Sequence, residues 1–403
     1  MQQRAVWAAR LVVFAAFVDL FAGFPIVAPY ARELDASAWV TGVAVAAYSI
    51  ANLVGNVAAG FALDRWGRKP IIVAGLAVSA AAVALHVVAR DANQLIVLRA
   101  VHGVATAVLS PGAFALIGDA APPERRARAM GSAGVFIAIA ALIAFPMAGI
   151  VRSAFGIRMV FVVVAILLAV AAVVVSMIAR EPEIARDTRA LHPRQIGSVL
   201  VRPSLLVGYL AILCFTIGVG ALIEHLPIML EARGGGERAS SYAFTVYAVV
   251  AMIGMAGPAA RQSDRFGRQR PLAIGLATIG VALLGLGLWP QTLAVYGEMV
   301  VFGLGFGLLF PAATALVADA SSPAERGTAF GVFYAVYSLG TIVGALAAGA
   351  LASAFGDTTT APFLVSAVVV LVAAPFVVSP LLVGRPPVNE EWPVPVPTAP
   401  RRH

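Results

Sequence analysis

Asp19 and Arg99 are ionisable residues set deep in apolar sequence, within AFVDLFAG and IVLRAVHG. A charge at the centre of a bilayer costs about 2.5–3.5 kcal/mol on insertion scales, so each needs a reason to be there. Burial favours a neutral acid and a nearby cation favours the carboxylate, so a change in their separation can load and release a proton. Glu224 and His225, with Pro227 close by, offer a second position for a proton or cation in the outer third of a later apolar run. Three polar faces recur at helical spacing: Tyr48, Asn52 and Asn56; Arg99, His102, Thr106 and Ser110; and Tyr334, Tyr337, Ser338 and Thr341. Such faces either line a cavity or make interhelical hydrogen bonds. An aromatic and apolar lining with few polar anchors suits an amphipathic ligand better than a sugar or a phosphate. His86 and His102 have no metal-ligand spacing around them, and His102 is read as hydrogen-bonding within its own helix face.

The elements that carry these residues must cross a membrane. The 403-residue chain is 61% hydrophobic and 12% charged, about half the roughly 25% charged fraction of soluble domains. Apolar runs fall at roughly 11–30, 40–62, 70–89, 95–117, 129–151, 158–179, 204–230, 240–260, 271–289, 293–318, 328–352 and 362–383, each near the span length of about 20 residues. They predict an all-α integral membrane protein with twelve transmembrane helices. The first run, after Arg4 and Arg10, is too long for a secretory signal and is read as a retained span. The net charge of +8 then points to an anionic membrane surface and not to nucleic acid. The lone Cys214 excludes an internal disulfide and a cysteine-based zinc site. Of the 28 arginines and lysines, Arg32, Arg90, Arg152, Arg158, Arg233 and Arg238 fall on one side and Arg99 within a span. All the others lie with the termini, which places both termini in the cytoplasm by the positive-inside rule.

Sliding the chain against itself by 200 residues, without a gap, superposes Asp64, Arg65, Gly67 and Arg68 on Asp264, Arg265, Gly267 and Arg268. The same offset pairs Gly103, Pro111, Asp119, Pro123, Arg126 and Gly131 with Gly303, Pro311, Asp319, Pro323, Arg326 and Gly331. Shared alanines would mean little in this chain, but shared charges and prolines mark two parallel halves with any substrate cavity between them near the midplane. The expected organisation is a six-helix bundle over 1–179, a cytoplasmic linker over 180–203, a second bundle over 204–383, and a Pro-rich tail over 384–403. Asp19 and Arg99 have Val219 and Met299 as their images, whereas the loop charges are duplicated. Symmetric charges suit a gate built by both halves; asymmetric ones suit a substrate or proton site.

The loop GFALDRWGRK, Gly60 to Lys69, matches the signature G-x-x-x-D-R-x-G-R-[KR] of the major facilitator superfamily throughout, and the chain resembles that family over all but its tail. The second copy keeps D-R-x-G-R but has Ala260 at the leading glycine. Arg99, His102 and Gly103 are similar to the R-x-x-[QH]-G pattern of proton-coupled members. Asp19 with Pro25 and Pro29 looks like the drug:proton antiporter branch, which includes tetracycline exporters. The branch's G-P-x-x-G-G motif in span 5 is here Phe145, Pro146, Met147, Ala148, Gly149 and Ile150, with two glycines replaced. The resemblance implies the two-bundle fold and a cytoplasmic latch, with Asp64 near the start of span 11 and Arg68 near Asp119. It implies proton-coupled efflux of small amphipathic, drug-like compounds by alternating access at the inner membrane. The working parts are then a monomer, its small-molecule substrate, protons and the lipid bilayer, with the proton gradient as energy source and no cofactor. Uptake or exchange of a metabolite or organic anion on Arg99 is the alternative, and a non-transporting sensor or scaffold is the alternative of another class. No H-E-x-x-H, G-x-S-x-G or G-x-x-x-x-G-K-[ST] occurs, so no enzyme is expected.

Overall fold

The structure, a computed structural model, describes residues 2–120, 126–179, 202–256, 267–321 and 326–378. The linker expected at 180–203 lies almost wholly outside these residues, as does the tail. Fourteen helices are described: α1 (Gln2–Gly23), α2 (Val27–Glu33), α3 (Ala38–Trp66), α4 (Arg68–His86), α5 (Ala92–Thr106), α6 (Leu109–Ala120), α7 (Arg126–Phe155) and α8 (Ile157–Ile178) come first. The second half holds α9 (Pro203–Ala232), α10 (Ala239–Ala256), α11 (Gln269–Leu288), α12 (Thr292–Asp319), α13 (Arg326–Phe355) and α14 (Ala361–Phe376). Two of the expected spans are each made of two helices. Span 1 breaks at Phe24–Ile26, where Pro25 and Pro29 remove backbone donors, and span 4 breaks at Ala107–Val108, where the Pro111 ring would meet the carbonyl four residues back. Pro146, Pro227 and Pro311 lie inside continuous helices, which neighbouring helices tolerate in a membrane protein.

Among the described residues, ten helical segments are long and apolar enough to cross a bilayer, with Ala239–Met255 and Ala361–Phe376 shorter apolar helices. Large apolar side chains stand outward, Leu293 at 83% and Met177 at 77% exposure, as lipid-facing side chains do and a soluble surface would not. Trp7, Trp39, Trp66 and Trp289 are exposed at helix ends, where interfacial tryptophans anchor spans. This is a multi-pass membrane protein with twelve spans in two six-helix bundles.

The halves repeat in their packing as well as their sequence. In the first, α3 packs on α5, α4 on α8 and α1 on α7; in the second the images are α10 on α12, α11 on α14 and α9 on α13. The bundles meet through α3 against α13 and α7 against α10, which are images of each other. Even the turns repeat: Gly67 and Gly267 have φ of 90° and 79°, and Gly156 and Gly356 have 84° and 87°. Those left-handed values favour glycine, which explains its presence at both copies of each turn. The end carrying residues 34–37, 87–91, 233–238 and 356–360 is called distal below; the start of α1 and the end of α14 lie at the opposite, proximal end.

Gly103 sets the crossing of α3 and α5 beside the polar cluster described next. A Cβ there would lie 2.3 Å from the Tyr48 carbonyl oxygen and 3.1 Å from the Asn52 nitrogen, both backbone. Its image Gly303 meets the Tyr247 carbonyl at 2.8 Å. Backbone cannot step aside as a side chain can, so Gly103→Ala is expected to cost about 1–3 kcal/mol, as overpacked sites do. Melting of the detergent-purified protein reads this, and a Gly103→Ala melt equal to that of the parent would show that the two helices are free to part.

Candidate functional site

Asp19 is carried on α1 four residues before that helix ends, and it is 6% exposed. Its Oδ2 lies 2.8 Å from Nε2 of His102 on α5, a buried hydrogen-bonded pair. This corrects one expectation: the His102 ring bonds to another helix and not along its own. Arg99 lines the same small cavity as Asp19 and makes no ion pair with it. Arg99 and His102 are one turn apart on α5, so both face the same way; the imidazole meets Asp19 while the guanidinium lies over the Tyr48 ring. Its Cζ lies 4.6 Å from the centroid of the Tyr48 ring, within cation–π range.

Around this pair the expected polar faces of α3 and α5 come together. Thr106 and Tyr48 share a hydrogen bond of 2.9 Å between their hydroxyls. Asn52 Nδ2 donates to the Gly103 carbonyl at 3.2 Å and to Thr106 Oγ1 at 3.3 Å, and Asn56 Nδ2 donates to Asn52 Oδ1 at 2.9 Å. Tyr48, Asn52, Asn56, His102 and Thr106 thus form one network that locks the side chains beside Asp19. Pre-set hydrogen bonds of this kind hold a charged group in place without the cost of ordering it at each cycle.

The second half contributes a different cluster, packed in its core. Thr341 and Ser338 spend their hydroxyls on the carbonyls of Tyr337 and Tyr334, four residues back at 3.1 and 3.2 Å. What remains is aromatic: Phe215 lies 5.0 Å from Phe306 and 6.5 Å from Tyr337 between ring centroids, and Tyr247 lies 5.4 Å from Phe302 and 5.6 Å from Phe306. Phe302, Phe306 and Phe310 follow at four-residue spacing on α12, a stripe that periodicity alone would have flagged.

Glu224 and His225 on α9 are both fully buried. His225 Nε2 is 2.7 Å from the Thr359 carbonyl, which can only accept, so Nε2 carries a proton. The opposite nitrogen, Nδ1, faces Glu224 Oε2 at 3.7 Å, and neither carboxylate oxygen has a hydrogen-bond partner. Two lone pairs facing each other there call for a proton on one of them. No hydrogen bond or ion pair among the described residues joins this pair to Asp19.

Beside it, the distal end is clamped across the halves. Arg32 pairs with Asp357, and Arg152 holds Glu231 with both guanidinium arms, the longer at 3.0 Å. Glu33 lies 4.0 Å from Arg152, and Arg238 Nε donates to Ser153 Oγ at 2.6 Å. Beneath them Gly149 approaches Ser241 so closely that a Cβ would lie 2.6 Å from it, and Phe145 stacks on Phe244 at 5.4 Å. Sequence reading counts these charges only as topological signals.

For the loop motif, the side chains of Gly60, Asp64, Asp119, Asp264 and Arg265 lie outside the described residues. Arg65, Gly67, Arg68, Lys69, Gly267 and Arg268 are described at the proximal turns, and Arg268 Nε donates to Asp319 at 2.9 Å. That bond is the image under the repeat of the expected Arg68–Asp119 contact. No group of three or more metal-binding side chains occurs among the described residues.

Comparison with known proteins fits this architecture. The chain is 24% identical over 349 residues to the inner membrane transport protein YajR of Escherichia coli (strain K12), covering 85% of this chain and 76% of the relative. It is 27% identical over 329 residues to the multi-drug resistance efflux pump PmrA of Streptococcus pneumoniae serotype 4, covering 79% and 81%. Among solved structures, a bacterial homologue of the human lysosomal transporter Spinster, in an inward-facing and occupied conformation, superposes with a TM-score of 0.78 at 16% identity, covering 92% of this chain and 95% of that one. A sequence model of the Major Facilitator Superfamily matches residues 11–292 and 228–402, and the chain belongs to that family of transporters.

Proposed function

We propose that this chain exports small amphipathic compounds in exchange for protons by alternating access, from the cytoplasm across the inner membrane. The observation that carries the reading is the division of labour between the halves. A buried Asp19–His102 pair with Arg99 close by stands in the first, and an aromatic cluster of Phe215, Tyr247, Phe302 and Phe306 in the second. Both are covered in this structure; when alternating access uncovers them, an amphipathic compound meets the two at once, polar end toward the carboxylate and apolar body on the rings. The pneumococcal relative's description as a multi-drug efflux pump supports the substrate class. Asp19 is the proton carrier, and Glu224–His225 a second protonatable pair under the distal seal. The positive-inside bias makes the distal end the outer one, so the clamped structure is closed to the outside and the termini are cytoplasmic. The loop motifs around Asp64 and Asp264 are assigned to the opposite, cytoplasmic gate.

The test is a panel of amphipathic dyes, ethidium first, in inverted vesicles carrying the protein, with an acid-inside gradient imposed. Accumulation that collapses on adding an uncoupler is the expected result. Failure of every dye to accumulate, or accumulation indifferent to the uncoupler, would overturn the reading. A second reading, uptake of an organic anion, is favoured by one observation: among the described residues Arg99 pairs with no carboxylate, and its Nε has no hydrogen-bond partner. Competition by anionic dyes, lost in Arg99→Ala, would select that reading instead.

A further inference from the structure

The distal end of α4 brings one more titratable group to the proton site. His86, the last residue of that helix, is 1% exposed and stacks on Phe161 of α8 with ring centroids 5.1 Å apart. Its ring centroid is 5.9 Å from that of His102. Between them is a cavity of about 20 Å³ lined by Asp19, Gly23, His86, Arg99, His102 and apolar side chains. A cavity above about 10–15 Å³ accommodates one water, provided that it finds two to four polar partners.

Those partners can be worked out by proton counting. His86 Nδ1 is 2.7 Å from the Ala82 carbonyl oxygen; that oxygen only accepts, so Nδ1 carries the proton and Nε2 is a bare acceptor. With Asp19 ionised, His102 Nε2 donates to it, and His102 Nδ1 is likewise bare. His86 Nε2, His102 Nδ1 and Arg99 Nε are all buried without a hydrogen-bond partner. All three residues line the one cavity. A single water donating to the two imidazoles and accepting from Arg99 satisfies every one of them. The other groups bearing on His86 are Tyr30 of α2, whose hydroxyl donates to the His86 carbonyl, Arg158 of α8, which acts on Tyr30, and Tyr48 of α3 on the far side of His102. Glu33, at the end of α2, also acts on Tyr30.

We propose that His86 is a positioning residue for proton loading: its bare Nε2 holds one water against His102 Nδ1, and through that water and His102 a proton reaches Asp19. A proton arriving at the water makes it a hydronium, which gives one proton to His102 Nδ1 as His102 gives its Nε2 proton to Asp19 Oδ2. The water ends neutral and still donates to His86 Nε2, His86 stays neutral throughout, His102 ends neutral with its proton on Nδ1, and Asp19 has gained one proton. The relay rests on the coupling reading above, so its test needs to separate the two.

Proton uptake after a jump from about pH 8 to about pH 6 is followed with pyranine in the detergent-purified full chain. No substrate is required. Asp19→Asn defines the uptake that depends on Asp19. His86→Asn keeps a donor for the Ala82 carbonyl but is too short to hold the water against His102, and is expected to slow the Asp19-dependent step about tenfold or more, a barrier change of roughly 1.4 kcal/mol. Gly23→Ala tests the water itself. Its Cβ would meet only Val27 Cγ2, at 3.6 Å, so it fits while filling the cavity wall, and it should slow the same step with His86 intact. Gly23→Ala also carries the test if His86→Asn does not fold. Parental rates in both variants, with the step lost in Asp19→Asn, overturn the relay and leave the coupling reading standing. Full uptake in Asp19→Asn overturns the coupling reading and the relay with it.

Discussion

Asp19→Asn is expected to abolish substrate accumulation driven by a pH gradient while leaving substrate exchange largely intact. The asparagine side-chain oxygen still accepts a hydrogen bond from His102, so the pair observed at 2.8 Å survives and the network through Thr106, Tyr48 and Asn52 is undisturbed. What is lost is the ability to hold a proton. Coupling should therefore fall by about 100-fold or more, since an amide does not titrate in the physiological range. Exchange of labelled for unlabelled substrate, which needs no net proton movement, should stay within about threefold of the parent. Both are read in proteoliposomes, wild type beside variant. Accumulation in Asp19→Asn that still tracks an imposed proton gradient would move the carrier to Glu224, whose buried carboxyl has no hydrogen-bond partner.

Which parts of this site are legible in the sequence follows from the range over which each interaction acts. A span is a local property: about 20 apolar residues specify one wherever they occur, and each expected run coincides with one helix or one broken helix. The break at Phe24–Ile26 is also local, set by Pro25 and Pro29; that at Ala107–Val108 is not decided by Pro111 alone, since its image Pro311 lies in a continuous helix. Gly67 falls in the loop signature between two apolar runs and has the positive φ of a tight turn. Partnerships between helices are another matter. Asp19 and His102 are 83 residues apart and Arg152 and Glu231 are 79 apart, and nothing within either segment specifies which side chain of the other will be reached. Choosing Arg99 as the partner of Asp19 follows charge alone. In the structure the His102 imidazole meets that carboxylate, while Arg99 lines the same cavity without an ion pair to it. The aromatic cluster escapes sequence reading for a different reason: phenylalanine in a membrane span is unremarkable in composition, and only the four-residue recurrence of Phe302, Phe306 and Phe310 distinguishes it.

The second large effect is expected at the distal clamp. Arg152 is 5% exposed and holds both oxygens of Glu231 across the boundary between the halves, with Glu33 4.0 Å from one of the same two nitrogens. Its removal leaves two carboxylates near each other with no cation between them, so the closed face loses an attraction and gains a repulsion. Truncating one partner of a buried, hydrogen-bonded charge pair costs about 2–5 kcal/mol at comparable interfaces. Even the lower figure shifts a two-state opening more than tenfold, because each 1.4 kcal/mol is about a factor of ten. Arg152→Ala should thus hold the transporter open at the distal end. Ser241, buried where α10 meets Gly149 of α7, reports on that opening: Ser241→Cys in a Cys214→Ala background leaves one thiol for a membrane-impermeant maleimide. Labelling from the outside of intact cells should quicken about tenfold or more in Arg152→Ala. Exchanging the charges, Arg152→Glu with Glu231→Arg, should slow it again, because a carboxylate on α7 then faces a guanidinium on α9 across the same gap. An unchanged labelling rate in Arg152→Ala would mean that the glycine contacts and the Phe145–Phe244 stack close this face without the ion pair, which would then set only the register of α7 against α9.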